Sequence, residues 1–207
     1  INELYREINW FYPTAGSSVI NRVVTYNFAE NVWTTGTLDR STWIGSTVYE
    51  KPYATDYNAS DTPTFPVVNG VSNGASIYYA HEVGVNQANA DGTTTAIPSF
   101  IKSGEFDLNG RQGVPGDGEF LMSISRFLPD FKRISGNAKV TIFLNEFPQG
   151  STAASSPLGP FTVSSSTSKI NTRARARLAA VQIENESVDE SWRYGTFRFD
   201  VRVDGRR

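Results

Sequence analysis

The chain has 207 residues, enough for one large or two small domains, and we predict two. Its composition of 39% hydrophobic, 13% aromatic and 19% charged residues is typical of a folded, β-rich protein and excludes a disordered or fibrous one. The absence of cysteine excludes a disulfide framework and thiolate metal sites. No apolar run approaches the roughly 18 residues that span a bilayer, so membrane insertion is not expected.

The net charge of −2 is unevenly distributed along the chain. Residues 169–207 hold nine Lys/Arg against six Asp/Glu, whereas residues 1–168 hold ten against fifteen. A nucleic-acid-binding module of this size usually has a larger basic excess, so tight, direct DNA binding is not implied. The first residue is Ile1 and not Met, and we therefore expect a processed product or a fragment of a longer chain.

The N-terminal segment Ile1–Phe11 allows two interpretations. A strand would place Leu4, Ile8 and Trp10 on a buried side, whereas Leu4 and Ile8 also fit the i, i+4 spacing of a short helical turn. The strand is favoured.

Residues Arg22 to Leu38 are predicted to form a β-hairpin. Two runs of β-branched and aromatic residues are separated by the polar turn Ala29–Asn31, a composition that favours pleated, half-buried backbone. Trp and Tyr in such a hairpin combine a large apolar face with one polar atom, and we expect them mainly in a core.

Several short strands are predicted between the hairpin and residue 108, with no helical stretch between them. They are Thr42–Ile44, Ser46–Tyr53, Ala75–Gly84 and Ile97–Leu108, joined by loops at Ala54–Gly74 and Asn86–Thr95. Residues 109–118 contain four glycines and a proline, so we predict a junction there. It separates a propeller-like β region, 1–108, from a C-terminal region, 109–207, that is either a β-sandwich or further propeller blades.

The C-terminal region is predicted to continue in strands. These are Glu119–Phe131, Ala138–Phe147 and Phe161–Val163, with connections at Ser151–Pro160 and Ser164–Ser168. The predicted fold class is therefore all-β, and the spacing of the short strands is propeller-like or sandwich-like. We expect β-propeller-type antiparallel sheets with an additional C-terminal antiparallel β region. A blade period of about 40 to 45 residues would allow four or five blades in this length.

The last two predicted strands, Thr172–Ala180 and Thr196–Asp204, alternate most regularly. The first places three arginines on one face and small apolar groups on the other, and the second alternates Arg and Asp with Phe and Val. If the strands are neighbours, Asp200 and Asp204 would lie opposite arginines in a solvated ladder. The alternative is a surface that meets a partner subunit or a phosphate backbone, and its candidate residues are Arg173, Arg175, Arg177, Arg198 and Arg202.

No residue pattern indicates catalysis. His81 is the only histidine, and the sequence contains no nucleophile-elbow motif for which it could act as the base. A zinc site is not expected either, because there is no cysteine or second histidine to bind the metal with His81. The oxygens of Asp107, Asn109, Asp117 and Glu119 are of the type that calcium binds, but their spacing matches no known calcium loop, and solvated carboxylates are the favoured interpretation. We therefore predict no enzyme activity and no cofactor.

Three segments resemble the C-terminal part of tail-hub, or nozzle, proteins of tailed bacteriophages. The segments are Trp10–Trp43, Tyr78–Leu108 and Asn171–Arg207, and the most specific pieces are the final DGRR and the W-R-x-G-x-F-R-x-D pattern of Trp192–Asp200. The resemblance is weakest over residues 54–74 and 109–170. Members of that family are longer than this chain.

The resemblance implies a β-propeller protein of the virion tail that assembles as a ring, commonly of six subunits, without catalytic residues. Its implied partners are the head-to-tail adaptor and tail fibre or spike proteins, and DNA would pass through without sequence-specific binding. Two other hypotheses remain open. One is a carbohydrate- or receptor-binding module of a virion that uses aromatics such as Trp43 and Tyr79, and the other is a glycan-degrading enzyme.

Overall fold

A computed structural model describes residues 1–45, 47–57, 76–89, 92–108, 120–147 and 156–206. Within these ranges the chain forms fifteen strands in antiparallel sheets and no helix, so the all-β prediction is confirmed. No closed barrel or propeller is detected among the sheets of these ranges, so the propeller type stays a prediction. A search of the same residues for a helix long and apolar enough to cross a membrane found none.

The chain separates into two compact units, of which the first comprises residues 1–84 and 88–93. Its first sheet has the order β1-β2-β3, with β1 at Glu7–Tyr12, β2 at Arg22–Asn27 and β3 at Val32–Thr37. Strands β2 and β3 pair antiparallel around a turn that ends at Asn31, whose φ of 55° Asn tolerates better than most residues. The predicted hairpin is confirmed.

The segment before β1 is a tight turn and not a strand. Asn2 and Glu7 form an isolated antiparallel bridge, so the strand begins only at Glu7. The expectation that Leu4 and Trp10 lie on a buried side is wrong, because their relative exposures are 55% and 46%. Ile8 is half-buried.

The second sheet of this unit has the order β4-β5-β6, with β4 at Thr42–Ile44, β5 at Tyr53–Tyr57 and β6 at Ser76–Ala80. The predicted strand Ser46–Tyr53 is wrong, since the described residues 47–51 are turn and bend and β5 only begins at Tyr53. The first four residues of the predicted loop Ala54–Gly74 belong to β5, and the rest of that loop, residues 58–74, lies outside the described residues.

Two further predictions around residue 90 need correction. The predicted loop Asn86–Thr95 contains a two-stranded hairpin, β7 at Asn86–Ala88 with β8 at Thr94–Ala96. The predicted strand Ile97–Leu108 is reduced to β9 at Ser99–Lys102 and one isolated bridge at Phe106.

The second unit comprises residues 85–87 and 94–207 and contains β9 and the six remaining strands. Those six are β10 at Phe120–Ser135, β11 at Ala138–Asn145, β12 at Ser156–Val163, β13 at Ile170–Ala176, β14 at Leu178–Asn185 and β15 at Ser191–Arg206. Together with β9 they form a three-stranded sheet of order β13-β10-β15 and a four-stranded sheet of order β12-β11-β14-β9.

These two sheets share one hydrophobic core. Phe127 on β10 is buried together with Val140 and Ile142 on β11 and Ile183 on β14, and Phe199 on β15 packs against them. Since one core draws on both sheets, the sheets pack face to face, and the opposite face of each is left for polar residues.

The division into units falls between residues 84 and 94, which is earlier than the predicted junction at 109–118. The physical reason is the pairing of β9 with β14, which places residues 99–102 in a sheet of the second unit. The segment 109–118 itself lies outside the described residues.

β12 lies partly in a segment that the sequence predicts to be a connection. The prediction of a connection at Ser151–Pro160 rests on its content of Ser, Pro and Gly, but Ser156–Val163 is a strand that pairs with β11. β12 is an edge strand, and an edge strand tolerates Pro157 and Pro160 because one side of its backbone needs no ladder partner.

The predicted strand Thr172–Ala180 is two strands. β13 ends at Ala176 and β14 begins at Leu178, and the two belong to different sheets. Arg177 is therefore a corner where the chain crosses from one layer to the other, and it does not continue the alternation of Arg173 and Arg175.

Candidate functional site

The five arginines singled out from the sequence separate into two groups. Four lie on the sheet β13-β10-β15 with exposed side chains, namely Arg173, Arg175, Arg198 and Arg202. Arg177 is half-buried at the corner, and its guanidinium lies 5.7 Å from the ring centroid of Phe147. The structure therefore places four of the five on one sheet.

The condition set for the salt-bridge ladder, that the two arginine-bearing strands are neighbours, is not met, because β10 lies between β13 and β15. One predicted pairing nevertheless forms across β10. Arg175 Nε lies 2.7 Å from Asp204 Oδ2, and Arg175 Nη2 donates to the Asp204 carbonyl at 2.8 Å. Ser123, the residue of β10 opposite Arg175, is small enough to let that side chain pass over it. Asp200 pairs with Arg126 on β10, at 3.2 Å.

His81 lies immediately after β6 in a half-buried cluster of the first unit. Its Nε2 accepts a hydrogen bond from Arg40 Nε at 3.0 Å, and its ring centroid lies 4.6 Å from that of Trp43. Burial, and then the positive charge of Arg40, lower the pKa of His81 from 6.5 to about 4. Because the Nε2 lone pair is already used, the neutral imidazole is not available there as a general base.

Two carboxyl groups near the N-terminus also have perturbed pKa values. Burial raises the pKa of Glu7, with a further increase from the charge of Glu82. Burial also raises the pKa of Glu82, although a hydrogen bond from Asn2 Nδ2 at 3.3 Å opposes this shift. Asn2 is 1% exposed, so this bond fastens the N-terminal turn to the residues that follow β6.

The described residues contain no cluster of three or more His, Asp or Glu that could hold a metal ion. Of the carboxylate and amide groups considered for calcium, Asp107 is described, whereas Asn109, Asp117 and Glu119 lie outside the described residues. The described residues therefore do not test calcium binding at this position.

One face of the sheet β1-β2-β3 carries exposed aromatic side chains. Tyr26 is the register partner of both Ile8 and Trp33, and Trp10 lies two residues along β1 from Ile8. The rings of Tyr26 and Trp33 stack with centroids 4.6 Å apart, and those of Trp10 and Trp33 with centroids 5.6 Å apart. We call Trp10, Tyr26 and Trp33 the aromatic row.

The aromatic row is largely open to solvent. Trp33 is 61% exposed and Trp10 46%, so the expectation that these tryptophans are core residues is wrong. The packed side of this sheet is the opposite one, where the Phe11 ring lies 5.1 Å from that of Trp43. Since side chains alternate along β1, Trp10 points away from the face that carries Phe11.

The aromatics proposed from the sequence for carbohydrate binding do not lie in the aromatic row. Trp43 is half-buried between Phe11 and His81, and the guanidinium of Arg40 lies 3.9 Å above the Tyr79 ring centroid. A hairpin that turns at Ala29–Asn31 pairs Tyr26 with Trp33, so the sequence does carry a signal that these two side chains share a face. The sequence carried no signal that this face is the exposed one.

No protein-family model matches this chain, and no curated protein is similar enough in sequence to count as a match.

Proposed function

We propose that this chain is a structural, non-enzymatic component of a bacteriophage tail. In this proposal it forms part of the hub or nozzle ring of six subunits that surrounds the path of DNA ejection, and its first unit contributes to a β-propeller. The head-to-tail adaptor and the tail fibre or spike proteins would be its neighbours in the virion. Support comes from the sequence resemblance of three segments and from the all-β fold.

The single observation that carries an assembly role is the exposed aromatic row. Two tryptophans at 46% and 61% exposure, beside a third stacked ring, form an apolar surface of the kind that marks interaction sites. Full burial of an aromatic removes about 150–250 Å² from water, so covering the exposed parts of Trp10 and Trp33 would contribute about 5 kcal/mol before the costs of association. A ring of copies would provide that cover at every subunit.

The charge distribution is compatible with a conduit for DNA. Each phosphate that a protein neutralises adds a salt-dependent contribution to binding, so a channel that must release DNA should hold few phosphates firmly. Arg126, Arg175 and Arg198 each form an ion pair with an aspartate of the same sheet, which lowers their attraction for phosphate. Passage of DNA would then be transient and without sequence preference.

Two measurements test this proposal. The first is cryo-electron microscopy of assembled particles, in which the fold should be found in a tail ring; its placement elsewhere would overturn the proposal. The second is sedimentation of the purified chain, which should self-associate. Trp10→Ala/Trp33→Ala should weaken that association at least tenfold, whereas Phe100→Ala, which removes a 70% exposed aromatic of the second unit, should leave it unchanged.

The aromatic row also supports a second candidate, a carbohydrate- or receptor-binding module of a virion. Its rings are near-parallel, with interplanar angles of 22° and 26°, and stacked aromatic surfaces suit the apolar faces of sugar rings. Binding on a glycan array that is lost in Trp33→Ala would favour this function. A monomeric chain in sedimentation would favour it further over the ring.

A further inference from the structure

The outward face of the sheet β13-β10-β15 is strongly basic. Among side chains that the structure describes, its strands carry eight cations, all exposed, and three carboxylates. The cations are Arg126, Lys132, Arg133, Arg173, Arg175, Arg193, Arg198 and Arg202, and the carboxylates are Asp130, Asp200 and Asp204. We call this surface the basic face. The buried residues of the same strands, such as Met122, Ile124 and Ala174, point to the core on the other side.

All three carboxylates of the basic face are already engaged. Asp200 pairs with Arg126, Asp204 pairs with Arg175, and Asp130 lies 2.5 Å from Arg198 Nη2. Five cations are left over: Lys132, Arg133, Arg173, Arg193 and Arg202. None of the five has an ion pair or a side-chain hydrogen bond to any of the described residues.

Two of these five are placed directly opposite each other. Arg133 on β10 is the register partner of Arg193 on β15, and a register shift between Phe131 and Arg133 inserts Lys132 beside them. Like charges at directly opposed positions destabilise a strand pair. Glu190, three residues before Arg193, accepts hydrogen bonds from the backbone amides of Glu186 and Ser187, and Asp130, three residues before Arg133, is paired with Arg198. A bound anion would relieve this repulsion.

The groups between the cations indicate which anion fits. Positions on the basic face that lack a cation or carboxylate are largely hydroxyl residues, such as Ser123, Ser125 and Thr196. Protein interfaces usually centre on aromatic or aliphatic anchors, whereas contacts to a nucleic-acid backbone use Arg and Lys together with Ser and Thr. Residues two apart on a strand are about 6.7 Å apart, so the cations extend along and across the sheet and do not converge on one point.

We propose that the basic face, centred on Arg133 and Arg193, contacts the phosphates of duplex DNA weakly and without sequence preference. The identity of the polyanion as ejected DNA rests on the proposed tail function. The contact itself does not depend on that function, because the net positive charge of this face is complementary to the negative charge of the DNA phosphate backbone.

The test is fluorescence anisotropy of a labelled duplex titrated with the full 207-residue chain over a range of salt concentrations. The chain should bind at low salt, equally to duplexes of different sequence. Each lost phosphate contact reduces the slope of log K against log salt by about 0.9, so Arg133→Gln/Arg193→Gln should reduce it by about 1.8. At low salt the affinity of this variant should fall at least tenfold.

Charge-matched variants distinguish binding at the basic face from an effect of the overall charge of the chain. Arg6→Gln/Arg22→Gln makes the same charge change at exposed positions of the first unit and should leave the slope unchanged. Arg133→Lys/Arg193→Lys keeps the charge and should retain most of the binding. Circular dichroism of each variant should match that of the unchanged chain, which shows that any loss is not misfolding.

Three results would overturn the inference. They are no binding at low salt, equal loss in both Gln double variants, and displacement of DNA by polyglutamate as effectively as by unlabelled duplex at equal charge. The last would identify an acidic protein surface as the better occupant. Failure of the tail function would look different, since the chain would then bind DNA in solution but be absent from the tail ring in particles.

Discussion

His81 should make the stability of the first unit depend on pH in a direction that the structure specifies. Its imidazole is half-buried, accepts the Arg40 hydrogen bond at Nε2 and packs at a tilted angle against the Trp43 ring. Protonation would place a positive charge beside the Arg40 guanidinium in a poorly solvated position. We therefore expect His81→Gln, whose amide oxygen can accept the same hydrogen bond, to remove a pH-dependent part of the stability.

The sign and size follow from the pKa of about 4 in the folded chain against 6.5 for the unfolded one. Between these values the unfolded state binds the proton more readily, so the contribution of neutral His81 is fully present above pH 6.5 and is lost as the pH falls towards 4. The two pKa values correspond to about 3 kcal/mol at most. Solvent screening at a half-buried ring reduces the expected loss to about 1–2 kcal/mol.

Glu7 and Glu82 act in the opposite direction in the same unit. Their folded pKa values are raised, so folding favours their protonated forms, and their contribution is present at low pH and lost as the pH rises. The pH profile of the unchanged chain therefore combines both effects. The difference between that chain and His81→Gln isolates the histidine.

The assay is urea unfolding followed by tryptophan fluorescence, from neutral pH down to about pH 4.5. Three of the four tryptophans lie in the first unit, so the signal reports mainly on that unit. The free-energy difference between the unchanged chain and His81→Gln should shrink by about 1–2 kcal/mol across this range. A difference that stays constant with pH would refute the assignment of a neutral, hydrogen-bonded His81.

Three further predictions concern the second unit. Phe127→Ala removes a fully buried ring from the core and should cost about 3–5 kcal/mol in chemical unfolding; a cost below about 1 kcal/mol would contradict the shared core. Gly195→Ala places a Cβ 2.7 Å from a backbone carbonyl of β10 and should lower the melting temperature, whereas Gly104→Ala meets nothing within 4 Å and should not; equal melting temperatures would count against this contact. Arg193→Glu should pair with Arg133 and raise stability by about 0.5 kcal/mol, and a decrease would show that the two side chains do not repel each other.

Much of the local structure could be predicted from residue patterns alone. The β2–β3 hairpin follows from two apolar runs around a polar turn, and the alternation in β13 correctly separates Arg173 and Arg175 from the buried Ala174 and Ala176. Such patterns act over a few neighbouring residues, because side chains on a strand alternate faces with a period of two. They determine which residues share a face.

The tertiary structure decided which strands are neighbours and which face is covered. Nothing in the alternation of the last strands shows that β10 inserts between them, or that the register on β10 brings Arg133 opposite Arg193. The same holds for Trp10 and Trp33, whose aromatic character suits a core but whose sheet packs through its other face. The sequence by itself determined an all-β chain with apolar and charged faces. Pairing between distant strands, which no local pattern encodes, determined where those faces meet the core and where they meet solvent.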